Sequence, residues 1–91
     1  MDRIERITEM ESRFDKVSAI LENLESALES FNAAQEEIQI LSDYYESSLW
    51  REDFEADEAG LLPDTLKRGI LSEDALYNLL TLNNELLDSM K

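Results

Sequence analysis

Residues 7–31 read "ITEMESRFDKVSAILENLESALESF". Ile7, Phe14, Leu21 and Leu28 recur every seven residues, and so do Met10, Val17, Leu24 and Phe31, a row that continues to Ile38 and Tyr45. The gaps alternate between three and four. That is the apolar pattern of a helix packing along a seam. Ile20, Ala27, Ala34 and Leu41 form a third row beside the first two and widen the stripe, so this face is expected to meet more than one helix. The pattern lapses at Gln35 and Ser42. No glycine or proline occurs before Gly60. The spacing therefore predicts one helix from about residue 2 to about residue 46, roughly 65 Å long at 1.5 Å per residue. An alternative is a break in "ESFNAAQ", residues 29–35, where Ser30 and Asn32 are mediocre helix formers. Such a break would give two shorter antiparallel helices.

Beyond this helix the chain changes character. Ser47 or Ser48 can cap a short helix carrying Leu49, Trp50 and Phe54, and Gly60 can end it in a left-handed conformation. "LLPDTLKRGILSE", residues 61–73, then holds the only proline, one of the two glycines and two of the eight basic residues. Pro63 stops helical continuation. Asp64 is expected to cap one turn through Leu66 and Lys67, with Gly69 ending it. Ser72 is a good N-cap, and Glu73 and Asp74 place negative charge on the first turn of a last helix. That helix runs to about Ser89. It carries Leu76, Leu79, Leu80, Leu86, Leu87 and Met90, a stripe interrupted by Asn83.

The expected fold is thus all-α in a single domain, 1–91. A long N-terminal heptad helix (1–46) leads through a connector with short helical turns (47–71) to a C-terminal helix (72–90) packed back on it as a hairpin or bundle. Trp50, Gly60, Pro63, Gly69 and Ser72 carry structural roles. Trp50 is expected to be partly buried where the three parts meet, beside Leu62 or Ile70.

Composition narrows the function classes. The chain has 22 acids, 8 bases and a net charge of −14. Direct binding to nucleic acid or an anionic membrane needs a cationic surface that is not available here. A basic protein partner is favoured instead. With neither cysteine nor histidine, disulfides, thiolate metal sites and the commonest general base are excluded. The start, "MDRIERITEME", has no apolar signal region, and no apolar run reaches membrane-spanning length, so a cytoplasmic location is expected. A chain this short has a thin core, and self-association is the supplement its composition leaves open.

Two stretches carry a resemblance. "YYESSLW" (44–50) followed by "DFEADEAGLLPDTLKRGILSEDALYNLL" (53–80) resembles the C-terminal signature of a bacterial family of small acidic helical proteins, domain of unknown function 4298. The resemblance covers essentially the whole chain, and its specific part is residues 44–80. It implies the same helical architecture and a Gram-positive or phage context. The family has no assigned activity, so no catalytic residues and no cofactor are carried over.

The candidate sites are few. Asp53, Glu55, Asp57 and Asp64 fall at positions 1, 3, 5 and 12 of a calcium-loop count, but Glu58 stands where that loop needs glycine. They are weak metal candidates. The competing expectation is a solvated face with Asp53 or Asp57 paired to Arg68. Carboxylate pairs are plentiful, and no nucleophile motif or phosphate loop accompanies them, so an enzyme is not expected. Tyr44, Tyr45, Trp50, Phe54 and Tyr77 are expected around the connector, with one of the adjacent tyrosines free to touch a partner. Lys67 and Arg68 form a small cationic patch that can meet an acidic group on a partner.

The leading expectation is a non-enzymatic interaction module. Ile7, Met10, Phe14, Val17, Leu21 and Leu24 would form the interface of a homodimer, antiparallel or four-helix-like, through residues 7–31, with Tyr45, Lys67 and Arg68 as further contacts. The competing class is an acidic nucleic-acid mimic, encoded by a phage or mobile element, that inhibits a nuclease or regulator. Its supporting feature is the stretch from Val17 to Trp50, which holds seven acids and no base.

Overall fold

The computed structural model describes residues 2–91, and the fold among them is all-α. α1 spans Arg3–Glu46, 44 residues in one unbroken helix. Asp2 caps it. Its carboxylate accepts the Glu5 N–H at 2.8 Å, and its carbonyl accepts the Arg6 N–H at 3.0 Å. The sequence signal was there, an Asp with a Glu three residues on, but the heptad reading passed over it. The alternative break at 29–35 is absent. Gln35 instead donates its side-chain amide to the Phe31 carbonyl at 3.2 Å, one turn back along the helix.

Ser47 separates α1 from α2 (Ser48–Glu58). It occupies the N-cap position with extended backbone. Its hydroxyl, however, turns back to donate to the Tyr44 carbonyl at 2.7 Å, so it closes α1 more than it caps α2. α2 ends as expected at Gly60, whose φ of 72° is the left-handed conformation that favours glycine. The Gly60 N–H reaches Asp57 O and the Leu61 N–H reaches Ala56 O, each at 3.0 Å. These two bonds form a Schellman motif and satisfy the free carbonyls at the helix end.

The connector departs from expectation at two points. No helical turn follows Asp64. The Leu66 N–H closes a single turn on the Pro63 carbonyl at 3.1 Å. Gly69 does not end a helix in a left-handed conformation, since Gly60 is the one positive-φ residue among those described. Gly69 instead starts a 3-10 turn, Gly69–Leu71, which the Leu71 N–H joins by bonding to Arg68 O at 3.0 Å. α3 spans Ala75–Ser89. The N-cap position falls to Asp74 and not to Ser72, but Ser72, with extended backbone just outside the first turn, accepts the Ala75 N–H on its hydroxyl at 3.1 Å.

The chain divides into two units, Met1–Gln35 and Glu36–Lys91. In the first, the described residues are Asp2 and the N-terminal part of α1, and none of them is buried. In the second, α2 and α3 both pack against the 3-10 turn. The core is very small. Leu71 (6% exposed) and Leu76 (3%) are its buried apolar side chains among the described residues, joined by Asn83 (8%). Asn83 thus lies on the inner face of α3 with Leu76, and no buried side-chain polar atom among the described residues lacks a hydrogen-bond partner.

Candidate functional site

Around the connector, side chains from α1, α2 and the 3-10 turn interlock. Trp50 on α2 is half-buried. Its ring meets the edge of Tyr45 at a centroid distance of 5.1 Å and stacks on Phe54 at 5.3 Å. Its indole N–H donates to Ile70 O at 3.0 Å, which places it beside Ile70 as expected. Tyr45, a candidate partner contact, is engaged in this aromatic cluster. Tyr44 also turns toward the connector, where its hydroxyl donates to Asp53 Oδ2 at 2.6 Å. The Tyr44 phenol is pushed up to about 12, first by partial burial, then by the hydrogen bond to Asp53 and the charge of that carboxylate. Tyr77 lies outside the cluster and is exposed.

The acids of the calcium-loop count do not converge. Asp53, Glu55 and Asp57 lie on α2, a helix in which alternate residues point to different sides, and Asp64 lies in the turn after Pro63. Asp53 is held by Tyr44. Asp57 accepts Arg68 Nη1 at 2.5 Å, a half-buried ion pair. No group of three or more acids among the described residues could hold a metal ion. Of the cationic pair, then, Arg68 is spent inside the fold, while Lys67 is exposed and makes no ion pair among the described residues.

Among the described residues, cavities open on the connector. One, of about 390 Å³, is lined by Leu41, Lys67, Gly69, Ile70, Ala75, Leu76 and Leu79. Another, of about 310 Å³, lies between Tyr44, Asp53 and the segment from Leu62 to Leu71. Local sequence patterns give no sign of either, because both arise where distant segments meet.

A further exposed apolar surface lies on α1. Ile7, Met10, Phe14, Val17, Leu21 and Leu24 are all more than half exposed, Phe14 at 68%. Ile4 extends the row at 76%. Side chains of this size on one helical stripe make a continuous hydrophobic seam, of the kind that marks an interface. No helix among the described residues is long and apolar enough to cross a membrane.

These features define a small all-α protein with an aromatic-pinned connector and an apolar seam that nothing in its own unit covers. The chain belongs to the family described as a domain of unknown function (DUF4298), whose model matches residues 7–91. No curated protein and no solved structure matches it.

Proposed function

We propose that this protein is a non-enzymatic, acidic interaction module that acts as a homodimer through residues 7–31. The observation that carries this reading is the exposed seam from Ile7 to Leu24. Burying about 25 cal/mol for each Å² of such surface is the dominant favourable term in most associations. With two buried apolar side chains among the described residues, the chain gains little from its own core. Light scattering at micromolar concentration tests the reading. A mass of twice the 10.5 kDa chain is expected, with a melting temperature that rises with concentration. A strict monomer of high helicity contradicts it.

A second reading has its own support. Glu22, Glu29, Glu36 and Asp43 recur every seven residues on the unbroken α1, all exposed, in a stretch without a single base. Such a row can imitate the charge of a nucleic-acid backbone and occupy a basic groove on a protein partner. Competition with duplex DNA for a bound nucleic-acid-binding protein supports this reading. Failure to compete at low salt removes it.

A further inference from the structure

We propose that residues 4–17 of α1 in one copy seat on the exposed face of α3 in a second copy, and reciprocally. This rests on the homodimer reading and names the surface that receives the seam.

Three observations lead there. First, α3 has an unpartnered row of its own. Leu79, Leu82 and Leu86, with Met90 at the C-cap, recur at helical spacing, each 40–54% exposed. At its N-terminal end this row borders the apolar cavity of about 390 Å³ beside Leu41, Ile70 and Leu76. The row covers roughly 18 Å of helix, close to the roughly 20 Å of residues 4–17.

Second, the charges are complementary. Residues 3–16 hold Arg3, Arg6, Arg13 and Lys16 against four acids, whereas residues 36–91 hold fourteen acids against four bases. The balanced segment can therefore approach the acidic unit of another copy, bringing Arg6, Arg13 and Lys16 toward acids such as Glu85 and Asp88 on α3. Pairing the later part of the seam with itself would instead bring together Glu22, Glu25 and Glu29, with no base between Val17 and Trp50.

Third, each copy lacks what the other supplies. Two buried apolar side chains among the described residues are a small core for a chain without cysteine. A two-fold arrangement, with each seam on the partner's α3, builds a shared four-helix core.

The absence of cysteine makes trapping direct. Full-length Met10→Cys and Leu82→Cys proteins, carrying tags of different size, are mixed and oxidised, and Phe14→Cys repeats the seam position. The expected product is the mixed disulfide, in excess of either same-position product. Same-position seam disulfides alone would overturn the docking while leaving the homodimer standing. A monomer under all conditions removes both. In parallel, Leu82→Glu, and separately Arg6→Glu with Arg13→Glu, should each raise the dimer Kd at least about ten-fold while keeping the helical circular dichroism. An unchanged Kd in both overturns the proposal. If a charge variant loses its helical signal, the disulfide pattern decides.

Discussion

Trp50 donates its indole N–H to the carbonyl oxygen of Ile70 across 3.0 Å. Twenty residues separate the two, and the bond fastens α2 to the 3-10 turn that leads into α3. The Tyr45 and Phe54 rings hold the indole from two sides. One side chain thus joins the end of α1, α2 and the connector, in a unit whose buried apolar side chains among the described residues are two leucines.

Trp50→Ala should therefore cost about 3 kcal/mol, the low end for removing a large aromatic, because the ring is only half-buried. Trp50→Phe keeps the stacking and loses the donor, at about 1 kcal/mol. Urea denaturation of the three proteins checks the order. An alanine variant as stable as the parent would make Trp50 a surface residue.

The two glycines should respond to different extents. Gly60 has a φ of 72°, so Gly60→Ala should destabilise by about 1 kcal/mol. Gly69 is outside the left-handed region, and an added Cβ there meets nothing within 4 Å. Gly69→Ala should change stability by less than about 0.5 kcal/mol. Ser72→Ala should cost about 1 kcal/mol through loss of the bond to the Ala75 N–H. Thermal melts of the three variants at one protein concentration would expose any reversal.

Lys67 and Arg68 should also separate. The Arg68–Asp57 pair is 32% and 25% exposed in its side chains, so Arg68→Ala should cost about 1 kcal/mol, near the top of the range for partly exposed pairs. Lys67→Ala should leave stability unchanged. A double-mutant cycle on Asp57 and Arg68 measures the coupling directly. Zero coupling would show that the pair contributes nothing.

Tyr44 should give an alkaline signature. Its phenol sits near 12 in the folded chain against about 10 when unfolded. The folded state therefore favours the protonated form. That contribution is complete below about pH 10 and is lost as pH rises through 12. The stability gap between the parent and Tyr44→Phe should stay constant from pH 7 to 9 and narrow from pH 10 to 12. A gap that stays flat to pH 12 contradicts the bond to Asp53.

Much of this was readable along the chain. The heptad rows from Ile7 to Phe31 state a helix because one period persists for 25 residues without a glycine or proline. Gly60 was legible because a helix end leaves carbonyls that a left-handed residue satisfies. Gly69 was not. "KRGIL" reads alike whether the glycine ends one turn or begins another, and the difference lies in whether Leu71 bonds to Arg68 O. Asp53 and Asp57 matched a calcium spacing, yet on a helix they stand one turn apart, facing Tyr44 and Arg68. The Asp57–Arg68 pair was one of the two pairings expected for Arg68, whereas the Tyr44–Asp53 bond, nine residues apart, has no local signature. The seam itself was plain, and its side chains stay exposed in the folded chain.

Sedimentation equilibrium on the parent and on Phe14→Glu combined with Leu21→Glu tests the central claim most directly. Both side chains lie on the exposed seam. The parent should sediment at twice its 10.5 kDa chain mass at micromolar concentration. The variant should sediment at the chain mass, because a buried unpaired carboxylate opposes association strongly. A parent that is monomeric with full helicity, or a variant that dimerises like the parent, contradicts the account.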